Sequence, residues 1–587
     1  MAVMIGVLAA APATGGGALS TAPSLKAFVT PAPSNCTDQW AMYQHDPQRT
    51  AASSCTDISQ TSVQSLAPAW FVNTSQPVTA SPTVYKNNVY VGDGGGTFYS
   101  INQTSGAVNW KFPVVQPSYS CAAGGTVTGD KHAVSYSEIA SSAAVSVVNG
   151  TTTVFFGGGG SLFALKASDG TCLWSVNLDP AHPTSAMEVE SSPVVLTTPA
   201  GVTEVVVGSD SNESPGGSAP PGVQALNAAT GALLWKFEPE NNATDTTESA
   251  PQTTDGCGDV WSSPSVDLAA TADGMIVLTT GNCPQGTSET PAAPVAPQSC
   301  PNSPAEPTPQ LEGVAAVDSE NGCLVWRWSE PPNQYANASF ADGGDDDFGS
   351  SPILTTVQGQ KAVIEAGKDG YMYAVNELAG TEIWGNQIAQ PGQTGSTLAG
   401  AIGGFIGSGA LGAANGAPTL FGSTAIPAPF SGAGVQTSGV SLDTTLICIV
   451  ANLLQLGPTC DPLRVSSLHA VNAASGSVTW QAPVSLPTYA AVTYDNGVVF
   501  APSTTGFSIV AYDADNGLPL WAFPVGGAVS SGTAIAGDSV FVGSGTDVAG
   551  GTLPISTGTE IPPQFNGVWC FTLGTSALSG TLGGLGL

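Results

Sequence analysis

Seven Gly-x-x-x-Trp turns, an extra Trp strand near the start of the chain and two apolar strands left over at its end predict an all-β fold, a single eight-bladed β-propeller closed by its N- and C-terminal strands. The turns pair Gly106 with Trp110, Gly170 with Trp174, Gly231 with Trp235, Gly322 with Trp326, Gly380 with Trp384, Gly476 with Trp480 and Gly517 with Trp521. The eighth Trp strand, ending at Trp70, has no repeat before it, and the strands around Phe541 and from Val568 to Phe571 have no Trp strand after them. Placing the two ends in one sheet makes the eighth blade and removes the exposed edges of an open array.

Composition agrees with that class. With 72 Gly, 45 Pro and only 9% charged residues, the chain suits many short strands joined by tight turns better than long amphipathic helices. Its 587 residues exceed the usual size of one domain, but a repeat array is not held to that limit. The expected layout is a signal segment or flexible tail over residues 1–35, the propeller over 36–573 and a Gly-rich tail over 574–587.

Within each unit a Ser-Pro strand is followed by an apolar strand, a strand resembling "YAVN", a Gly turn and the Trp strand. The recurrent Gly reads as a turn residue at positive φ and the recurrent Trp as a wedge between neighbouring blades. Both occur in every repeat, so neither points to function. Trp70 and Trp110 are 40 residues apart, whereas 91 separate Trp235 from Trp326 and 96 separate Trp384 from Trp480. Residues 291–309 and 399–434 are therefore expected as loops on one face.

There are 43 acidic against 11 basic residues, a formal charge of -32. Phosphate backbones need clustered Lys and Arg, which excludes nucleic acid as a partner. The first residues, MAVMIGVLAAAPA, hold a short apolar run with an A-x-A-like end but no basic n-region. No segment is long and apolar enough for a membrane span. Eleven thinly spread cysteines without C-x-x-C spacing suggest a few disulfides and an extracellular or periplasmic, secreted chain. Cys36 with Cys55 and Cys448 with Cys460 are the expected pairs.

Several segments stand outside the repeat frame. GSDSNE ends at Glu213, MIVLTTGN ends at Asn282, VWSSP carries Trp261, ADGGDDDFGSSP spans residues 341–352, and GKDGYMYAVN carries Lys368. Together with the entry segment DQWAMYQHDPQRT and the strand ending at Trp70, these resemble, in order, the quinoprotein (PQQ-dependent) alcohol dehydrogenase family. The D-x-D-F-G-x-S-P form and the missing C-x-x-C-H haem motif resemble the polyvinyl-alcohol-dehydrogenase type. The resemblance implies pyrroloquinoline quinone stacked on Trp261 and contacted by Lys368, and Ca²⁺ held by Glu213, Asn282 and Asp345. Asp345 would take the alcohol proton, with Asp342 and Asp347 as neighbouring choices. It further implies an alcohol substrate, small or polymeric, and an external electron acceptor.

Read without the resemblance, Glu213 is a solvated loop acid, Asn282 a turn residue, Trp261 a packing residue and Lys368 a surface turn lysine. Lys111 and Lys236, which follow repeat Trp residues, are expected on blade surfaces. Aligning the Ser-Ser-Pro strands puts Glu190, Trp261 and Gly349 at one level and Glu188, Asp259 and Asp347 two residues earlier. The competing function is a non-catalytic extracellular propeller that binds a protein, a glycan or a cell surface; a surface-layer component is a third. No vicinal cysteine pair is present, and Arg occurs only at positions 49, 327 and 464.

Overall fold

The computed structural model describes residues 39–53, 56–74, 76–114, 119–121, 125–127, 138–180, 187–210, 221–239, 243–245, 259–281, 312–329, 347–389, 404–424, 428–429, 464–465, 467–483, 488–504, 507–545 and 565–574. They form eight antiparallel blades. The innermost strands of blades 1 to 8 are Thr83–Tyr85, Ala144–Val148, Val194–Thr197, Ser265–Asp267, Ile353–Val357, Ala410–Ala414, Thr493–Asp495 and Ala534–Ala536. Blade 8 takes its outer strand, Leu66–Asn73, from the N-terminal side, paired with Gly567–Leu573 so that Trp70 faces Cys570. The expected closure is therefore present. Among the described residues no helix is long and apolar enough to cross a membrane.

The repeated Trp and Gly work as a pair across each blade seam. A Cβ on Gly106 would lie 2.8 Å from the Trp70 ring, and Gly170, Gly231, Gly322, Gly380, Gly476 and Gly517 likewise sit against the Trp of the preceding blade. All seven adopt φ between 63° and 74°, so glycine is required by the turn and by the ring packed on it. Each ring also donates across the seam: Trp110 Nε1 to Ala167 O at 3.0 Å, Trp174 to Ala228, Trp326 to Glu377, Trp384 to Ala473, Trp480 to Ala514, Trp521 to Leu66 and Trp70 to Gln103. Trp235 differs. Its Nε1 is turned to the buried carboxyl of Glu204 in its own blade.

Serines organise the axial end of the blades. The first Ser of Ser-Ser-Pro ties two strands of its own blade, as Ser191 Oγ does in accepting from Gly208 N at 3.0 Å. The second joins blade to blade. Ser81 N donates to Ser142 Oγ, Ser142 N to Ser192 Oγ, Ser192 N to Ser263 Oγ, Ser263 N to Ser351 Oγ, Ser351 N to Ser408 Oγ, and Gly532 N back to Ser81 Oγ, all between 2.8 and 3.0 Å.

Below this belt the entry segment crosses the axis. The N–H groups of Val84, Val145, Val266, Leu354, Leu411 and Tyr494, from six different blades, donate to the carbonyls of Trp40, Ala41, Pro47, Gln48, Thr50 and Ala51 at 2.8–3.0 Å. Arg49 is fully buried and donates to Pro264 O, Tyr43 O and Ser192 O at 2.9, 2.7 and 3.1 Å. Burial pulls its guanidinium down to about 10, with Tyr43 and Asp46 opposing, so it is charged at neutral pH. Gln44, His45, Arg49 and Ala51 all take positive φ, a cost accepted where each carbonyl must face a different blade.

Three further expectations meet different outcomes. The stretch 399–434 is not a loop throughout: Ala410–Ala414 and Ala417–Ser423 are strands of blade 6, held there because Ala410, Leu420 and Phe421 are buried in the blade core. Cys36, Cys55, Cys448 and Cys460 lie outside the described residues; among the described residues one disulfide joins Cys121 to Cys172, and Cys323 is also disulfide-bonded. Lys111 is exposed, as expected. Lys236 is not a surface residue: it is buried and paired with Glu238 at 3.3 Å, because its side of the strand is covered.

Removing the Arg49 guanidinium strands three buried carbonyls. Arg49→Leu is expected to lower unfolding free energy by about 3 kcal/mol or more, read as a lower denaturant midpoint. Burial first, then Glu320 and Asp318, push the Glu204 carboxyl up to about 8 from an ordinary value of 4.5, only partly opposed by Trp235. Between those values the folded state keeps a proton that the unfolded chain has released, so this group makes stability fall as pH rises from about 4.5 to 8. The melting temperature should be higher at pH 5 than at pH 8, and Glu204→Gln should narrow that difference.

Candidate functional site

The residues that precede the innermost strands meet at the axis on the far side of the serine belt from the entry segment. Counted two residues before the belt position, blade 3 supplies Glu190, blade 4 Trp261, blade 5 Gly349 and blade 7 Tyr489. Short antiparallel bridges extend this end. Glu188 pairs with Asp210 and Asp259 with Gly281, so the strand ends after blades 3 and 4 reach the same level.

The Trp261 ring lies over blade 5. A Cβ on Gly349 would be 1.9 Å from its Cη2, so only glycine lets the ring lie there. Lys368 Nζ stands 5.1 Å from the ring centroid, within reach of its negative face. The same ammonium pairs with Asp347 Oδ2 at 2.5 Å, and Lys368 N donates to Asp347 O at 3.0 Å. Both side chains are nearly buried, with 5% and 4% of their surface exposed, so this pair is shielded far more than a surface bridge.

The next turn residue, Asp369, braces the site. Its Oδ1 accepts from Tyr371 N at 2.9 Å and its Oδ2 from the Tyr373 hydroxyl at 2.6 Å, which fixes the turn that presents Lys368. Burial holds the Glu190 carboxyl well above the usual range, with Asp210 and Glu188 adding to the shift and Lys368 opposing it. Burial also raises the Tyr489 hydroxyl, again opposed by Lys368. One lysine therefore acts on blades 3, 4, 5 and 7 together.

Comparison with known proteins follows this architecture. A model of the "Glucose/ethanol/alcohol dehydrogenase, beta-propeller domain" family matches residues 40–288, and one of "Outer membrane protein assembly factor BamB" matches residues 452–561. No curated protein matches the chain in sequence. Among solved structures, the quinohemoprotein alcohol dehydrogenase of Comamonas testosteroni aligns over 93% of this chain and 82% of its own, at 18% identity and a TM-score of 0.65. A europium-containing methanol dehydrogenase aligns over 91% and 98%, at 17% identity and a TM-score of 0.61. A quinohemoprotein alcohol dehydrogenase of Pseudomonas putida HK5 gives 92%, 81%, 16% and 0.60. The chain shares its fold with quinoprotein alcohol dehydrogenases.

Of the five residues singled out in the sequence, Trp261 and Lys368 come together at the axis. Glu213, Asn282 and Asp345 lie outside the described residues, although each is close in sequence to a described residue at this end: Asp210, Gly281 and Asp347. Lys368 is not the surface turn lysine that the bare sequence allows. Asp347, a neighbouring choice in the acidic segment, is the carboxylate the structure pairs with it. Tyr489 was missed. Its signal is an aromatic residue outside the repeat frame, two positions before the blade-7 strand approach, where blade 4 carries Trp261. Among the described residues no three His, Cys, Asp or Glu side chains are grouped to hold a metal ion.

For a flat quinone the described residues offer an aromatic plane and one cation, and that part of the donor set fits. The surplus of carboxylates, Glu188, Glu190, Asp210, Asp259 and Asp347, fits an anionic quinone only if a divalent cation accompanies it. Gly349→Ala is the local test of the plane. The added methyl must displace the Trp261 ring, so near-ultraviolet circular dichroism should change while global stability drops by only about 1–3 kcal/mol.

Proposed function

We propose that the axial funnel is the active site of an exported quinoprotein oxidoreductase that oxidises an alcohol, using pyrroloquinoline quinone and Ca²⁺ and passing electrons to an external acceptor. The observation that carries this reading is Trp261 laid over Gly349 with the Lys368–Asp347 pair against it, at the axis of a fold shared with quinoprotein alcohol dehydrogenases. When bound, the quinone supplies a two-electron acceptor, and the protein supplies orientation, a proton acceptor and a fixed field.

In this reading Trp261 fixes the plane of the cofactor, and Lys368 presents a positive charge to its carbonyl edge. Glu213, Asn282 and Asp345 would hold the cation, whose preference for hard oxygen ligands matches that set. We assign the proton of the alcohol to Asp347 in place of Asp345. Asp347 has a carboxylate held in place by Lys368, and removing a proton demands a base whose position is fixed relative to the acceptor plane. Gly281 supports this role: a Cβ there would come within 3.0 Å of the Asp347 carboxyl, so the glycine leaves room for it.

Reconstitution with the quinone and Ca²⁺ tests the reading. Alcohol-dependent dye reduction is expected, and it should disappear on chelation of the metal. Asp347→Asn should cut kcat by at least about 10²-fold while quinone binding, followed by equilibrium titration, stays within a few-fold of wild type. If Asp345→Asn shows that pattern and Asp347→Asn does not, the base is Asp345. Tight quinone binding without turnover on any alcohol refutes the enzyme, and absence of quinone binding favours the non-catalytic propeller.

A further inference from the structure

The seam between blades 4 and 5, beneath the Trp261 ring, holds a carboxyl group that the proposed chemistry does not use. Glu365 lies on Gln360–Ala366, the second strand of blade 5, and only 1% of its surface is exposed. Its direct cross-strand partner is Tyr373, whose ring packs against Trp328 and Phe348 on the blade-4 side. Directly paired residues face the same way, so Glu365 looks into that seam as well.

In blades 2, 3 and 8 a serine makes the tie at this level. Ser141, Ser191 and Ser531 Oγ accept from Gly157, Gly208 and Gly543 N at 3.0 Å. In blade 5 the equivalent contact, Ala366 N to Ser350 Oγ, is stretched to 3.4 Å, and the Ser350 hydroxyl also meets Glu365 Oε1. Ser350 follows Gly349, on which the Trp261 ring lies, and its carbonyl accepts from Thr279 Oγ1 at 3.2 Å. Thr279 Oγ1 is in turn 2.5 Å from the hydroxyl of Ser262, the residue after Trp261. Both supports of the aromatic plane, the approach that carries the ring and the glycine beneath it, converge on Ser350.

A count of protons shows what Glu365 does there. Ser350 Oγ carries one hydrogen and stands within reach of two acceptors, Glu365 Oε1 and, at 3.0 Å, Ala366 O. Both contacts are hydrogen bonds at once when the carboxyl brings its own proton: Glu365 donates to Ser350 Oγ, and Ser350 donates to Ala366 O. The surroundings favour that form. Oε2 is buried without a hydrogen-bond partner among the described residues, and Lys368 is paired with Asp347. Burial holds the Glu365 carboxyl well above its ordinary value of 4.5, with Asp369 adding to the shift and Ser350 and the Ala366 backbone opposing it.

We propose that Glu365 is a positioning residue of the axial site: it acts as a carboxylic acid, donates to Ser350, and through Ser350 sets the step on which the Trp261 ring rests. In this role it touches neither cofactor nor substrate. Quinone affinity as a readout rests on the oxidoreductase reading; the carboxyl proton and the ring position do not.

Infrared difference spectroscopy of the full chain at neutral pH reads the proton directly. Wild type should show the C=O stretch of a protonated carboxyl that Glu365→Gln lacks, and identical spectra in that region overturn the proposal. The ring is read by the near-ultraviolet circular dichroism that Trp261→Phe removes. Glu365→Gln, whose amide can still donate to Ser350, should keep that signal, whereas Glu365→Met, of similar length and without a donor, should lose most of it. In equilibrium titration, quinone affinity should stay within about threefold of wild type for Glu365→Gln and fall by about tenfold for Glu365→Met. Wild-type behaviour of Glu365→Met, or a loss in Glu365→Gln equal to that in Glu365→Met, overturns the positioning role. If Glu365→Met does not fold, the infrared band and the ring signal of Glu365→Gln decide. Wild type that binds no quinone refutes the oxidoreductase reading, and the band and the ring signal still decide the role of Glu365.

Discussion

A propeller closes its outer edges by joining its ends, but each innermost strand still turns one edge toward the axis. Those edges carry backbone donors that need partners. Here the entry segment provides them, with carbonyls of residues 40–51 facing six blades in turn and Arg49 bonding blades 3 and 4 through Ser192 O and Pro264 O. The serine belt one level away fixes the phase of neighbouring blades. Together they make the axis a register mark, and every functional position is set by its distance from that mark. This is why Glu190, Trp261, Gly349 and Tyr489, far apart in the chain, share one level.

The same arrangement makes the cavity one-sided. The entry segment occupies the axis below the belt, so among the described residues Trp261 stands on the opposite side, where the strand approaches converge. That side is built from strand ends and turns, with bridges such as Glu188 to Asp210 and Asp259 to Gly281 prolonging the blades. Short extensions of a rigid ladder hold side chains more firmly than free loops do, which suits a site where an aromatic plane, a cation and a carboxylate must keep fixed relative positions.

The fold was legible because its determinants repeat. Gly-x-x-x-Trp marks a turn and a seam wedge at once, and the two stranded ends announced their own closure. The entry segment was legible only as a resemblance. Nothing local in the sequence shows that Arg49 will be buried, since its partners are backbone carbonyls that any residue could supply. Lys236 was misread for a related reason: strand alternation gives its side, but the burial of that side depends on the neighbouring blade. At the site, Trp261 stood out by breaking the repeat frame, and Tyr489 carries the same mark in a weaker setting, because its blade lacks the Ser-Ser-Pro signature that anchors the alignment. The partnership of Lys368 with Asp347 depends on the fold of a turn and could not be read from spacing.

Scarcity of positive charge gives the site its electrostatic meaning. Of eight lysines and three arginines, Lys86 and Lys111 lie over tyrosine rings, and Lys166, Lys236 and Lys361 pair with acids on the blades. Arg49 belongs to the entry segment, and Arg327 donates to Pro239 O. Among the described residues Lys368 is thus the cation brought to the axial mouth, where at least five carboxylates gather and desolvation makes each charge count more than at the surface. A single lysine cannot balance them. It neutralises Asp347 and fixes that carboxylate beside the Trp261 plane, so the one compensated carboxylate of the axial mouth is also the one whose position relative to the aromatic ring is set by a buried ion pair.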